Sequence, residues 1–366
     1  MKIIHVVESF AGGVYDFLVS LTKGLHEYKH IIIHGKREDT PPLNKIKKDF
    51  PDETELIYWK NACREVNPKK DMLALFELLK VFKKYKDSAD IIHLHSSKAG
   101  FLGRLAARML GIENRVIYTS HGVSFLRKDI PNIKLKQFIF FEKLAYKLGG
   151  KVIACSKSEA EEFRKVGINA EYIYNGVPIV RNHCSSKKKP DKLIIGTVGR
   201  ISYQKNPILF NKIAERFIQN GKVQFVWIGD GEFKHMLTSK NIFITGWLNR
   251  KEVLNRLADI DIYLSTSLWE GLPLSVLQAM ALKKPLILSN CVGNRDLVEN
   301  NINGFLCENL NCFEVNIKKL IQNKGLRKNF GENSYKIFSG NFSLERMIEK
   351  YKSLYKEVNI RSQPNI

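Results

Sequence analysis

The sequence predicts an α/β protein of two domains, each a parallel β-sheet with helices on both faces. Three observations carry that prediction. The chain has 366 residues, enough for about two domains at ~150 residues each. Short apolar runs rich in β-branched residues alternate with longer stretches of helical period, the pattern of strand–helix–strand crossovers. The alternation stops once, in a polar and basic stretch, and then restarts.

In the first half, residues 3–7, 31–33, 91–94, 116–118, 152–154 and 171–174 read as strands. Residues 15–25, 72–85, 101–110, 134–148 and 157–165 read as helices. Most of these strands are apolar at nearly every position, as strands covered on both faces must be. The pattern ends after Gly176-Val177-Pro178. Residues 179–192, with Ser185, Ser186, Lys187, Lys188, Lys189 and Pro190, read as a linker. Strands then follow over 193–198, 224–228, 242–245, 262–265 and 285–288, and helices over 206–219, 250–257 and 273–281. A last helix, over 344–358, carries Met347, Ile348, Tyr351, Leu354 and Tyr355 at helical spacing. The domains are therefore 1–178 and 193–343. Parallel sheets of this kind bind ligands at the C-terminal ends of their strands.

Hydrophobic residues make up 44% of the chain and charged residues 26%, a globular composition. The net charge of +22 is shared by both halves and implies an anionic partner: nucleotide phosphates, acidic lipid or nucleic acid. No low-complexity basic arm is present, so nucleic acid is not expected. The six cysteines show no CxxC spacing, which argues against a disulfide framework or zinc site and fits a reducing compartment. The apolar stretch at the N-terminus is broken by His5 and is too short for a signal sequence. No run of about 18 apolar residues occurs. A cytoplasmic protein is expected, with disorder only at the polar tail over 359–366.

Four segments could carry chemistry. The first, Glu8 to Gly13, joins a strand to a helix, and Gly12 and Gly13 let a ligand approach the backbone at a helix N-terminus. It is not a GxGxxG motif, and a tight turn explains it equally. In the second, Thr119-Ser120-His121-Gly122, a neutral His121 at a strand's ligand-facing end can hydrogen-bond a sugar hydroxyl. His93 and His95 share one face of their strand and read as core or cleft residues. The third, Gly199 to Pro207, follows the second domain's first strand. There the Arg200 fork and the compact charge of Lys205 suit a diphosphate. The fourth, Trp269 to Ala281, places Glu270 just outside a helix, followed by Gly271, Leu272 and Pro273, with Gln278 further along it. Diphosphate would lie at the helix N–H groups and hydroxyls at Glu270 and Gln278.

In this order, Gly12-Gly13, His121, Asn175-Gly176, Gly199-Arg200 with Lys205, Gly229-Asp230-Gly231-Glu232, Gly246-Trp247 and Glu270 through Gln278 resemble the retaining glycosyltransferases of family 4. The resemblance covers essentially the whole chain and is strongest from Gly199 to Gly304. It implies the GT-B fold, two Rossmann-like domains facing across a cleft, with the last helix crossing back to the first domain. It also implies roles. Arg200 and Lys205 would bind the donor diphosphate and stabilise the leaving nucleotide, Glu270 would contact the donor sugar, and His121 would lie beside the anomeric carbon. Gly229, Gly246 and Trp247 would line the nucleoside pocket. Gln278 stands where the family has a second glutamate, which binds ribose hydroxyls. A neutral partner there weakens donor binding by about tenfold.

The expected partners are a nucleotide-sugar donor, a UDP-sugar, and a lipid-linked saccharide acceptor. No cofactor and no metal are expected, since Arg200 and Lys205 supply the charge. Asp259-Ile260-Asp261 has the form of a metal-binding DxD but reads as a turn. Residues 134–148 interleave Lys134, Lys136, Lys143 and Lys147 with Phe138, Phe140, Phe141 and Tyr146. That stretch reads either as a helix packed on the sheet or as one docking on an anionic membrane, which would make the enzyme peripheral on the inner face. A UDP-N-acetylhexosamine epimerase shares the two-domain plan, and a non-catalytic binder of nucleotide sugar or nucleic acid is the third reading.

Overall fold

The computed structural model describes residues 1–37, 39–63, 65–179 and 192–362. Most of the expected linker, residues 180–191, lies outside them, as does Cys184. The chain divides into two compact units. One comprises Met1–Leu126, Ile130–Asn175 and the chain from Leu344 onward; the other comprises Arg127–Asp129 and Gly176–Ser343.

The first unit holds seven parallel strands: β1 (Lys2–Val7), β2 (Lys29–His34), β3 (Glu55–Tyr58), β4 (Ile91–His95), β5 (Val116–Thr119), β6 (Lys151–Ala154) and β7 (Ala170–Tyr172). Their order is β3-β2-β1-β4-β5-β6-β7. Its helices are α1 (Gly12–Gly24), α2 (Leu43–Asp49), α3 (Pro68–Tyr85), α4 (Ser97–Leu110), α5 (Asn132–Lys147), α6 (Lys157–Lys165) and the last one, α12 (Leu344–Ser362). Side chains alternate between the two faces of each strand. Ile4, Val6, Ile92 and Leu94 face a core built with Leu78 and Phe82 of α3 and Leu102 and Ala106 of α4. Ile3, Val7, Ile91 and Ile117 face Leu18 and Leu21 of α1 and Met347, Tyr351, Leu354 and Tyr355 of α12. Burying each large aliphatic side chain stabilises the fold by roughly 1.5–3 kcal/mol.

The helix α12 is held on this unit by its apolar stripe and by two ion pairs, Lys352–Glu27 at 2.7 Å and Glu357–Lys151 at 3.0 Å. It runs to Ser362, so residues 359–362 are helical and not the disordered tail expected. The buried Val358 carries the stripe one turn further than the polar residues around it suggest. Helix α5 departs from ordinary packing. Its only buried residues are Glu142 and Ala145, while Ile133, Phe140, Phe141 and Leu144 are exposed.

The second unit holds six parallel strands: β8 (Leu193–Val198), β9 (Val223–Ile228), β10 (Ile242–Ile244), β11 (Ile262–Ser265), β12 (Leu286–Ser289) and β13 (Gly304–Cys307). Their order is β10-β9-β8-β11-β12-β13. Between and after them run α7 (Pro207–Glu215), α8 (Arg250–Asp259), α9 (Leu274–Ala281), α10 (Leu310–Gln322) and α11 (Lys324–Asn341). Asn249 and Glu252 form a reciprocal capping box at the start of α8. Helix α7 stops four residues short of the expected end, where Phe217 N–H turns back to the Ala214 carbonyl. Asp261 accepts the Ile194 N–H at 2.9 Å and so anchors the start of β8. Among the described residues, no helix is long and apolar enough to cross a membrane.

In each sheet the strand order reverses once, between β1 and β4 and between β8 and β11. Such switch points open a crevice at the C-terminal strand ends, where ligands bind.

Candidate active site

The second unit's switch point brings together two of the expected segments. Beyond β8 the chain turns at Gly199, whose φ of 148° favours glycine. Three residues, Tyr203 to Lys205, form a single 3-10 turn. Asn206 then adopts φ 51° and caps α7 by accepting the Leu209 N–H at 3.2 Å. Beyond β11, Thr266 donates to the Lys205 carbonyl at 2.7 Å, and the Leu268 N–H donates to the Gln204 carbonyl at 2.8 Å. The two loops are therefore stitched through the backbone carbonyls of residues 204 and 205, and the stitching sets the side chains. Lys205 Nζ lies 2.7 Å from Glu270 Oε1. Gln204 Nε2 donates to the Trp269 carbonyl at 2.8 Å and lies 3.4 Å from Glu270 Oε2. Burial pulls the Lys205 ammonium down, but the Glu270 carboxylate, together with Tyr263 and Cys291, outweighs it and the net shift is upward. The site thus holds a committed cation. Nearby, burial and the Glu270 charge push the Cys291 thiol up to about 12.

Arg200 is placed differently. It is half exposed and pairs with an equally exposed Glu232, Nε to Oε2, at 2.9 Å. Such a pair is screened and weak. The glycines beside it are close approaches of backbone. A Cβ on Gly229 would sit 2.2 Å from the Gly199 carbonyl oxygen, and one on Gly231 would sit 2.3 Å from that of Ile201. Gly246 has φ 73° and bridges to Gly229, while Trp247 beside it is exposed. Gly271 and Leu272 are buried, and Gln278 is half-buried in α9, one turn beyond its start. Helix α9 has no side-chain cap; in its first turn the Val276 N–H donates to the Pro273 carbonyl at 3.1 Å.

The first unit's switch point has another character. Gly12, with φ 56°, and Gly13 open α1, exposed, and a Cβ on Gly12 would meet nothing. Beside them Glu8, after β1, accepts the Ser96 hydroxyl after β4, and burial raises its carboxyl above the usual range. His121 sits in the left-handed region at φ 55°. Burial lowers its imidazole to about 3, so it is neutral, as expected. Its ring nitrogens are not offered to a hydroxyl, however. Nε2 is 3.0 Å from His95 Nδ1 and Nδ1 is 3.5 Å from Cys155 Sγ. Asn175, buried after β7, hydrogen-bonds that thiol. The imidazole contributes its shape and the orientation of its loop rather than a free nitrogen.

Sequence reasoning missed the residue that holds this loop. Glu159 Oε1 accepts from the Ser120 hydroxyl at 2.8 Å, Gly122 N–H at 3.0 Å and Val123 N–H at 2.8 Å. Its Oε2 accepts the Cys155 N–H at 2.8 Å. The spacing from Ser156 to Glu159 is a helix-start signal, and Ser156 does cap α6. That signal does not say that the carboxylate turns to another loop. Gln204 and Glu232 were missed as well, because their partners are distant in sequence.

Residues 11–181 match the model described as Glycosyltransferase Family 4, and residues 171–337 match Glycosyl transferases group 1. The Escherichia coli UDP-Gal:alpha-D-GlcNAc-diphosphoundecaprenol alpha-1,3-galactosyltransferase is 32% identical over 333 residues, covering 83% of this chain and 84% of that protein. The chain belongs to glycosyltransferase family 4. Another family relative, from Campylobacter jejuni, is 23% identical and covers 96% of this chain and 98% of its own length: N,N'-diacetylbacillosaminyl-diphospho-undecaprenol alpha-1,3-N-acetylgalactosaminyltransferase. Solved structures share the fold. Sucrose-phosphate synthase from Thermosynechococcus elongatus superposes with a TM-score of 0.80 at 15% identity, covering 98% of this chain and 99% of that one. HepE of Anabaena, solved with UDP, gives 0.76 at 17% identity, covering 98% and 100%. The fold is thus the GT-B glycosyltransferase fold, with two parallel-sheet α/β domains.

Proposed function

We propose that this glycosyltransferase moves a sugar from a UDP-sugar, with retention of anomeric configuration, to a lipid-linked saccharide in cell-surface polysaccharide synthesis. The observation that carries the reading is the Lys205–Glu270 pair at the second unit's switch point, 2.7 Å apart. A diphosphate leaving group gains negative charge as the glycosidic bond breaks. Cations fixed beforehand stabilise it more in the transition state than in the ground state. Lys205 and Arg200 are those cations. Glu270 holds Lys205 and is the group nearest to a donor sugar, with Gly271 and Leu272 behind it. Gly199, Gly229, Gly246 and Trp247 line the nucleoside side, and Gln278 takes the ribose. On the first unit, Gly12, Gly13, Asn175 and His121 serve the acceptor and the reacting carbon. No metal is assigned a role.

The lipid-linked acceptor is supported by the names of the two relatives, both of which act on diphospho-undecaprenol saccharides. A peripheral position on the inner face of a membrane is supported by α5, whose exposed Ile133, Phe140 and Phe141 lie among four lysines. Each lysine near an anionic surface adds about 1 kcal/mol. Retention is supported by the family resemblance; Glu270, engaged by Lys205 at 2.7 Å rather than free to act as a nucleophile, fits a front-face route instead of a covalent intermediate.

The test is calorimetric titration of UDP, GDP and CMP into the native protein and into Arg200→Ala. UDP should bind, and the variant should lose about 1.5–3 kcal/mol, the value of a charged hydrogen bond. No nucleotide binding, or normal binding by Arg200→Ala, would mean that the diphosphate site is misplaced. Product anomers resolved by NMR with a UDP-sugar panel then decide retention against inversion.

A further inference from the structure

The first unit contains a chain of imidazoles that sugar transfer does not explain. His30 Nε2 lies 3.0 Å from the Leu25 carbonyl oxygen. His30 Nδ1 lies 3.2 Å from His5 Nε2, His5 Nδ1 3.1 Å from His95 Nε2, and His95 Nδ1 3.0 Å from His121 Nε2. His121 Nδ1 ends the series at Cys155 Sγ, 3.5 Å away. His5 and His95 are fully buried and His30 nearly so. The residues come from β2, β1, β4 and the loops after β5 and β6, so the series crosses the switch point.

Its direction is fixed by one end. A carbonyl only accepts, so His30 must carry its proton on Nε2. In a neutral ring the other nitrogen is then bare, so it accepts from His5 Nε2–H. The same step repeats at His95 and His121. His121 Nδ1 is left bare and accepts the thiol proton of Cys155. The burial that disfavours charge on each ring and on the thiol supports this assignment.

We infer that His30, His5, His95 and Cys155 are positioning residues for His121, forming a directional hydrogen-bond wire that holds its imidazole in one tautomer and one orientation. The role at the reacting carbon rests on the proposed function; the wire itself does not. It holds His121 at its unfavourable φ, with Glu159 fixing the backbone on the other side. His5, His93 and His95 are also close enough for a metal, with one nitrogen or more of each within 4.8 Å of the others. Each of their ring nitrogens already has a protein partner, however. His93 is held by the Tyr355 hydroxyl at 2.7 Å and the Thr119 hydroxyl at 2.9 Å. The wire accounts for every nitrogen in the series without breaking one of these bonds.

Two substitutions separate the wire from packing. In His95→Asn the amide oxygen takes the place of Nδ1 and still accepts from His121. In His95→Gln the amide reaches towards His5 and loses that acceptor. Nitrogen-15 histidine NMR of the full chain should show His5, His30, His95 and His121 all protonated on Nε2 at neutral pH. His95→Asn should keep the His121 tautomer and keep kcat within about twofold. His95→Gln should release the tautomer and lower kcat roughly tenfold at similar donor KM, the size of one lost hydrogen bond. Protonation of His121 on Nδ1 in the native protein would overturn the wire, as would equal behaviour of the two variants. Stoichiometric zinc on these nitrogens in the purified protein would overturn it too. If either variant fails to fold, the native spectrum still decides. Absence of UDP binding beside intact tautomers would sink the proposed function and leave the wire standing.

Discussion

The two switch points of this glycosyltransferase handle burial in opposite ways. On the second unit, Lys205 and Glu270 are kept as a charged pair, with the carboxylate side chain only 8% exposed. On the first unit, five histidines (His5, His30, His93, His95 and His121) are packed together and burial keeps them uncharged. Both begin with the same topology, so the difference lies in the side chains alone. A site that receives a diphosphate needs its cation formed in advance, because reorganising charge during the reaction is costly. A site that shapes a loop needs fixed hydrogen bonds and no charge to solvate.

The strongest test of the contrast is Lys205→Ala. It removes the cation and leaves Glu270 buried without it. The kcat/KM should fall by about 10²–10³, the scale of one lost transition-state donor, with the thermal midpoint lowered as well. Activity within tenfold of the native enzyme would show that the charged pair is architectural.

Next in size is the pH dependence of stability. Each buried histidine is neutral in the fold and has its usual value, about 6.5, when unfolded. The unfolded chain therefore takes up more protons below that value, and stability is lost as pH falls. Each histidine costs about 1.4 kcal/mol per pH unit below about 6. Glu8, Glu142 and Glu159 act in the opposite sense, since burial raises their carboxyls and the folded state binds protons first. The histidines outnumber them, so urea midpoints should fall steadily from pH 7 to 5. A flat profile would break the neutral half of the comparison.

Gly229→Ala tests whether the second unit's switch-point loops are shaped by backbone. At φ 138°, with a Cβ 2.2 Å from the Gly199 carbonyl oxygen, the variant should lose about 1–3 kcal/mol of stability, read by thermal unfolding. Gly12→Ala, which meets no atom, should lose less. The smallest effect is expected from Gln278→Glu, which restores a charged acceptor and should tighten UDP binding by up to about tenfold. Unchanged affinity would place Gln278 away from the ribose.

Much of the proposed donor side was legible as local segments in the sequence, because its pieces are close in the chain. Gly199, Arg200 and Lys205 fall within seven residues at a strand end, and Glu270 to Gln278 open the helix after another strand. Their meeting, and the engagement of Arg200 by Glu232, were not legible. Strands β3 and β13 and helices α2, α10 and α11 escaped detection. Strand β3 is a half-buried edge strand, and α11 is polar along most of its length, packing through Phe330, Ser334 and Phe338. Neither offers the long apolar run or clean period on which sequence reading depends.

The alternation of strands and helices, the two-domain plan and the glycine, arginine and lysine turns are written in the local pattern of the chain, since these rest on hydrophobic period and short-range sterics. The same pattern determines that His93 and His95 share a face, because side chains alternate along a strand. Folding alone brings His5 and His30 from other strands to meet them, turns Glu159 back to hold residues 120–123, and spends both nitrogens of His121 inward. Those are contacts between segments 25 to 90 residues apart. Sheet order and register set them, and no local pattern in the chain encodes which strand lies next to which.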